Sequence, residues 1–288
     1  MRRILLLAAT MTLALVLVGG VALSKQRQEE VSTSPQSPTT SKKSGESDIS
    51  VQSTVVKASF VGGSGANFLG VRVSDHGNLR SFESPAGQEQ VFDGNEGYAV
   101  CSAGGVTVHG HDTGSVEGGF GAPTFVQPTA GAFPLTVTRN TTDGKFQLKQ
   151  VWNRPDAVEK DVTVTMTLTN RSSATITGVL LSRSGDFDIG NSSTDRGANT
   201  GDSVWQWDDV STGDPGGLML SALTFGTSHT PRVEGGGAWT SGSRLHCLAP
   251  SVTTPTDPAG DFAMRMAYDL GAFNAGQSKT VKYVYGRM

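Results

Sequence analysis

Charged residues are scarce in this chain of 288 residues, because Asp, Glu, Lys and Arg make up only 17% of it. Soluble domains usually carry about 25%. A coiled coil or a helical bundle is therefore excluded, since those folds need Glu, Lys, Ala and Leu in bulk. The net charge is −3 and the part that should fold has no basic run. Nucleic acid is thus not an expected partner, because phosphates attract clusters of Lys and Arg.

The motifs of several common enzyme classes are also missing. The chain contains no G-x-S-x-G, no H-E-x-x-H and no G-x-x-x-x-G-K-[ST] pattern. Glycine-rich runs do occur, but none precedes a predicted helix, so none predicts a phosphate-binding loop. The sequence therefore identifies no catalytic residue, and it favours a non-catalytic module while leaving an enzyme open.

The longest uncharged stretch lies at the N-terminus. Arg2 and Arg3 precede residues 4–23, which carry no charge and could span a hydrocarbon core of about 30 Å as a helix. The pattern predicts either a cleaved signal peptide in residues 1–24 or a retained signal anchor, and the sequence leaves both open. In either case the remaining chain is expected outside the cytoplasm, secreted or anchored to the membrane through residues 4–23.

Two further regions follow the N-terminal segment. Residues 25–54 are rich in Ser, Thr and Pro and have almost no apolar side chain, which predicts a disordered linker because little surface could be buried. Residues 55–288 contain the apolar residues needed for a core. The predicted organisation is therefore a signal or anchor, a linker and one folded region.

The folded region has the periodicity of β-structure. In residues 161–170, Val162, Val164, Met166 and Leu168 alternate with threonines. This alternation is typical of a strand with one face in the core and the other in water. The turn that follows predicts that this strand forms an antiparallel hairpin with residues 175–183.

Similar segments recur along residues 55–288, separated by Gly, Asn, Asp or Pro, and no ten-residue window has helical periodicity. The predicted fold is therefore an all-β antiparallel sandwich. It could be one supersandwich or two stacked sandwiches divided near residues 143–144.

Three segments resemble known proteins. The sequence VTVTMTLTNRSSATITGVLLSRSGDFDI resembles the central hairpin of large bacterial extracytoplasmic β-sandwiches, and LGAFNAGQSKTVKYVYG resembles their closing turn and strand. The segment FLGVRVSDHGNLRSFESP, followed by GNEGYAVC, resembles the first sheet of galactose mutarotase-like supersandwich domains. The resemblance implies a fold and no activity, because no catalytic residue of a mutarotase or polysaccharide lyase matches this chain.

A pair of tryptophans is the first candidate binding site. Trp205 and Trp207 are two residues apart in a predicted strand, so both side chains should lie on one face, and Asp208 and Asp209 follow them. Indole rings stack on the apolar faces of sugars, and carboxylates accept hydrogen bonds from sugar hydroxyls. The sequence thus predicts a glycan site here, with core packing as the alternative for at least one indole.

Oxygen-rich and histidine-rich segments are candidate metal sites. Asp186, Asp188, Asn191 and Asp195 occur in a loop-like segment after a strand and could bind Ca²⁺, although their spacing is not that of an EF-hand. The alternative is a polar loop whose side chains bind their own backbone. The segment His109-Gly-His111-Asp112 could likewise hold a metal or form a solvated turn.

Only two cysteines are present, Cys101 and Cys247. In an exported chain they could form a disulfide, which would close a long loop. Two buried free thiols are the alternative.

The sequence is compatible with three functions. The first is a non-catalytic cell-surface or secreted module that binds a surface or cell-wall ligand or has a structural role. The second is a carbohydrate-binding or carbohydrate-active protein on a mutarotase-like sandwich. The third is an adhesion component stabilised by calcium.

Overall fold

The computed structural model describes residues 55–91, 96–103, 107–111, 118–187, 189, 196–208, 216–224, 226–235, 247 and 262–288. The predicted signal or anchor segment and the predicted linker lie outside these residues. Within the described ranges, no helix has the length and apolar character needed to cross a membrane.

The described residues form sixteen strands in three sheets, and all neighbouring strands within a sheet are antiparallel. The smallest sheet has the order β1 (Val56–Gly62), β2 (Leu69–Ser74), β3 (Leu79–Glu83). The second has the order β14 (His229–Gly235), β15 (Phe262–Phe273), β10 (Ile176–Asp186), β4 (Glu96–Cys101), β5 (Thr107–His111). The largest has the order β11 (Arg196–Asn199), β12 (Ser203–Trp207), β13 (Gly217–Ala222), β16 (Ser278–Arg287), β9 (Asp161–Asn170), β8 (Phe146–Trp152), β7 (Leu135–Asn140), β6 (Thr124–Val126).

The five-stranded and eight-stranded sheets pack against each other. Tyr283 on β16 donates a hydrogen bond to the carbonyl of Leu181 on β10 at 2.8 Å. The rings of Tyr268 on β15 and Tyr283 meet edge to face at 5.1 Å. Val162, Val164, Met166 and Leu168 are fully buried in the same core, as the alternating pattern of β9 predicted. The prediction of an all-β antiparallel sandwich is thus confirmed.

The predicted hairpin between residues 161–170 and 175–183 is wrong. β9 belongs to the eight-stranded sheet and pairs with β8 and β16, whereas β10 belongs to the five-stranded sheet and pairs with β4 and β15. The turn between them therefore crosses from one layer of the sandwich to the other. An alternating pattern predicts which face of a strand is buried, but it does not identify the neighbouring strand.

One buried asparagine holds this crossing in place. The side-chain amide of Asn170 donates to the carbonyls of Ala174, Phe273 and Asn274 at 2.8, 3.0 and 3.2 Å. Its side-chain oxygen accepts from the backbone and the hydroxyl of Ser172. Since Phe273 and Asn274 lie where β15 leads into β16, this one side chain joins the β9–β10 crossing to the β15–β16 crossing.

The chain does not divide into two sandwiches near residues 143–144. That position is the turn of the β7–β8 hairpin, where Asn140 pairs with Gln147 inside the eight-stranded sheet. Buried apolar residues from all three sheets form one continuous core. The strands β6, β11 and β14 were not predicted, because the first two have only three and four residues and the third contains Pro231.

Candidate functional site

Trp205 and Trp207 lie on the outer face of the eight-stranded sheet. Along β12, buried Val204 and Gln206 alternate with the two partly exposed indoles. Successive side chains of a strand point to opposite faces, so both indoles share the face that meets solvent, about 7 Å apart along the strand. Neither indole is fully buried, whereas the alternative to a binding role was core packing of at least one of them.

A buried amide fixes this orientation. The side-chain nitrogen of Gln206 donates to the carbonyl of Phe187 at 2.9 Å and to that of Phe262 at 2.6 Å. A shift of β12 by one residue would break both bonds and bury an indole in place of the amide. The interior of the sandwich thus sets which face of β12 carries the tryptophans.

Strand register extends the tryptophan face across three neighbouring strands. Trp205 pairs with Met219 on β13, Met219 with Gly286 on β16, and Gly286 with Asp161 on β9. A Cβ atom at Gly286 would lie 3.6 Å from Cε of Met219 and 3.6 Å from Cβ of Asp161, so these side chains share the outer face. We call the row formed by Trp205, Trp207, Met219, Gly286 and Asp161 the tryptophan strip. Its Trp, Met and Asp side chains are partly exposed, and Gly286 between them is buried.

Asp161 is the acidic end of the strip. Partial burial raises the pKa of its carboxyl, and the neighbouring Asp156 and Glu159 raise that pKa further. Within the described part of the chain, no hydrogen bond or ion pair engages this carboxylate. Asp161 therefore offers two oxygen acceptors at the edge of an apolar surface.

Of the two predicted acidic partners of the tryptophans, the described part of the chain includes only Asp208. Asp208 follows Trp207 and is half-buried, and its backbone N–H donates to the carbonyl of Gly216 at 3.3 Å. Asp209 lies outside the described residues. The acidic group on the face of Trp205 is thus Asp161, which is 44 residues earlier in the sequence.

The predicted calcium site falls mostly beyond the described residues. Asp186 is the last residue of β10, while Asp188, Asn191 and Asp195 are outside the described ranges. Among the described residues, no group of three His, Cys, Asp or Glu side chains is arranged to hold a metal. His109 and His111 lie on β5, but their side chains and Asp112 are outside the described structure. Calcium binding stays a prediction.

Cys101 and Cys247 are joined by a disulfide, with Cα atoms 6.0 Å apart. Cys101 ends β4, and the backbone N–H of Cys247 points to Sγ of Cys101 at 3.1 Å. The free-thiol alternative is thus not what the structure shows. The bridge connects residues that are 146 positions apart in the chain.

A buried polar cluster between the sheets was not predicted from the sequence. Arg183 on β10 and Glu96 on β4 are completely buried, and Nη2 of Arg183 lies 2.6 Å from Oε1 of Glu96. The hydroxyl of Tyr285 on β16 donates to the same oxygen at 2.5 Å. Nη1 of Arg183 donates to the side-chain oxygen of Gln150 on β8 at 2.7 Å. The cluster therefore ties the two large sheets together.

The same cluster holds the turn between β2 and β3. Arg183 and the indole N–H of Trp152 both donate to the carbonyl of Gly77 at 3.2 Å. Gly77 has a φ of +83°, and a Cβ there would lie 2.5 Å from the side-chain nitrogen of Gln150, so only glycine fits. Because the charged pair is sealed from solvent, the cluster positions the three sheets and is not accessible to a ligand.

Burial dominates the acid–base behaviour of the cluster. It raises the pKa of Glu96, and the attraction of Arg183 offsets that effect only in part. It also raises the pKa of Tyr285 well above the usual value. Arg183 lies 4.7 Å from the centre of the Trp152 ring, which adds a cation–π contact.

A polar cleft of about 450 Å³ lies between β15 and β16, and its described lining contains no residue of the tryptophan strip. Its described lining comprises Gly226, Thr227, Ser228, Asp269, Leu270, Lys279, Thr280 and Val281. The ammonium group of Lys279 contacts the carbonyl of Leu270 and lies over the ring of Phe273. Because no aromatic face lines the described part of this cleft, it is less suited to a sugar ring than the tryptophan strip.

Sequence reasoning therefore found the indoles but missed Met219, Gly286 and Asp161. Asp161 belongs to the strand predicted over residues 161–170, so the face on which it lies could be expected from alternation. The alignment of all three residues with Trp205 depends on strand order and register, which local patterns do not provide.

Comparison with known proteins identifies the fold and no family. No family model matches the chain, and no curated protein matches it. A bacterial glucoamylase solved with acarbose has a similar structure, with a TM-score of 0.53 and 10% identity over 81% of this chain and 33% of that one. A polysaccharide lyase gives a TM-score of 0.39 and 11% identity over 83% of this chain and 33% of that one. The chain thus spans about one third of the length of these solved chains. Its likeness to the bacterial glucoamylase is one of fold and does not point to a mutarotase in particular.

Proposed function

We propose that this chain is an exported carbohydrate-binding β-sandwich that holds a glycan on the tryptophan strip. The observation that carries the proposal is the outward position of Trp205 and Trp207 beside Met219 and Gly286. Two partly exposed indoles on one face of a strand give a ligand an aromatic surface on which to stack. Indole faces bind the apolar face of a sugar ring, and neighbouring acceptors bind its hydroxyls.

The structural comparison supports a carbohydrate ligand. The sandwich is similar to part of a bacterial glucoamylase that was solved with acarbose, although the two chains share only 10% identity. Since the likeness covers one third of that protein, the proposal is one of binding and does not extend to glycoside hydrolysis.

Export is part of the proposal. The uncharged segment at residues 4–23 has the features of a secretory signal or anchor. The disulfide between Cys101 and Cys247 supports the same location, because disulfides persist mainly in oxidising compartments outside the cytoplasm.

The test is glycan binding by the purified full chain, first on a glycan array and then by titration calorimetry. Trp205→Ala and Trp207→Ala should each weaken binding roughly tenfold or more. A planar ring stacked on an aromatic side chain contributes about 1–3 kcal/mol when the ring is a nucleic-acid base, and we expect a sugar ring to lose a similar amount. Phe125→Ala is the matched control, since this aromatic is 44% exposed on β6 at the opposite edge of the same sheet. Absence of array binding, or equal effects of all three variants, contradicts the proposal.

A further inference from the structure

The tryptophan strip runs across the strands and not along them. Trp205, Met219, Gly286 and Asp161 are direct cross-strand neighbours on β12, β13, β16 and β9. Three strand spacings of about 4.8 Å separate the first residue from the last, or about 14 Å in all. An elongated ligand that contacts both the indole and the carboxylate must therefore lie across the sheet.

Gly286, in the middle of the strip, is buried and has no side chain. A Cβ there would meet its neighbours at 3.6 Å, which is an ordinary contact, so the fold does not require glycine at this position. Glycine is unfavourable in strand interiors and often marks a place where a ligand approaches the sheet closely. The methyl group of Met219 lies beside the glycine, so the partly exposed side chain between indole and carboxylate is apolar.

Asp161 occupies a position that is costly for a carboxylate. It is partly buried, it lies beside Asp156 and Glu159, and these surroundings raise its pKa. No group in the described part of the chain compensates it with a hydrogen bond or an ion pair. A ligand that donates hydrogen bonds would satisfy these oxygens, as sugar hydroxyls do.

The charges around the strip disfavour an acidic ligand. Asp161 lies at one end with Asp156 and Glu159 behind it, and Asp208 follows Trp207 at the other end. On β11, Arg196 pairs with Trp207, at the end of the strip away from Asp161. Arg287 follows Gly286, and its Nη1 donates to the carbonyl of Ala66 at 2.9 Å. A carboxylate-bearing sugar placed along the row would meet Asp161 with like charge.

We infer that the tryptophan strip binds an uncharged oligosaccharide that lies across β12, β13, β16 and β9. This inference rests on the proposed function. One sugar ring stacks on Trp205, the chain passes over Met219 and Gly286, and a hydroxyl at the other end donates to Asp161. Affinity should therefore rise with the length of the oligosaccharide until the strip is filled, and uronic-acid oligosaccharides should bind poorly.

The experiment uses the full chain and an array of neutral and uronate-containing oligosaccharides. The neutral oligosaccharide that binds best, together with its shorter homologues, is then titrated against wild type, Gly286→Val, Asp161→Asn and the control Asp269→Asn. Asp269 is an exposed aspartate on β15, in the other sheet. Thermal melting of each variant verifies that the fold is intact.

We expect Asp161→Asn to melt at or above the wild-type temperature and Gly286→Val to remain folded. Both should bind at least tenfold more weakly, because the valine obstructs the strip and the asparagine weakens a hydrogen bond to a charged group. Asp269→Asn should bind like wild type. The inference is overturned if binding depends on Trp205 but is unchanged in both Gly286→Val and Asp161→Asn. It is also overturned if the protein prefers uronate-containing oligosaccharides. Either result leaves the proposed function intact. No binding by any array glycan removes the proposed function itself.

Discussion

Replacing Glu96 with glutamine should destabilise this protein far more than replacing Arg183 with methionine. The carboxylate of Glu96 accepts the backbone N–H of Leu79 at 2.8 Å on Oε2. On Oε1 it accepts Nε of Arg183 at 2.8 Å and the hydroxyl of Tyr285 at 2.5 Å. A glutamine amide has one oxygen, so its NH₂ group would face a donor on one side or the other. The guanidinium would also remain charged in the core without a counter-charge.

The size of the effect follows from this imbalance. Removing one partner of a buried ion pair costs about 3–5 kcal/mol, because the other charge stays desolvated and unpaired. For a folded region of this size, each kcal/mol lowers Tm by about 2–4 °C, so a fall on the order of 10 °C is expected. The replacement is nearly isosteric, so a loss of this magnitude would come from charge and hydrogen bonding and not from a cavity.

The opposite variant, Arg183→Met, leaves a group that can neutralise itself. Burial already raises the pKa of Glu96, and removing the arginine takes away an influence that lowers it. A carboxyl whose pKa is raised on folding contributes stability that is present below its unfolded pKa and is lost as pH rises through the folded pKa. The variant should therefore be least impaired at acidic pH and lose stability as pH rises.

Urea unfolding followed by tryptophan fluorescence and circular dichroism, at several pH values, measures both variants. Trp152 lies against Arg183 and makes the fluorescence signal sensitive to the cluster. Lys149→Met serves as the control, since it removes an exposed cation from the outer face of β8. The reasoning fails if Glu96→Gln unfolds within about 1 kcal/mol of wild type, the net worth of an ordinary hydrogen bond. It also fails if the loss in Arg183→Met does not depend on pH.

Three other outcomes are expected. Reducing the disulfide, or replacing Cys101 and Cys247 with serine, should lower the free energy of unfolding by about 2–5 kcal/mol, measured in urea with and without reductant. Asn170→Ala should cost about 2 kcal/mol or more, because three carbonyls lose their donor at the crossings between layers; Asn140→Ala, at an exposed position, should be near neutral. The free energy of unfolding of wild type should fall as pH rises through the raised pKa of Asp161, and Asp161→Asn should lack this fall. Identical dependence of stability on pH in the two proteins would contradict the unfavourable surroundings inferred for the Asp161 carboxylate.

The sequence by itself determined the secondary structure class and the faces of individual strands. Alternation identified β9 with its observed bounds and predicted that Val164 and Met166 face the core. It also placed Trp205 and Trp207 on one face, because side-chain direction in a strand depends only on the position along that strand.

Tertiary structure alone decided which strands are neighbours, and with that the composition of the site. The turn after Asn170 crosses between layers and does not close a hairpin, since hydrogen-bond partners are selected by the whole core. Asp161 and Gly286 reach the row of Trp205 only through the pairing of β9 with β16 and of β16 with β13. The Arg183–Glu96 pair likewise shows no local signal, because two charged residues 87 positions apart can share a buried site only after the sheets have packed.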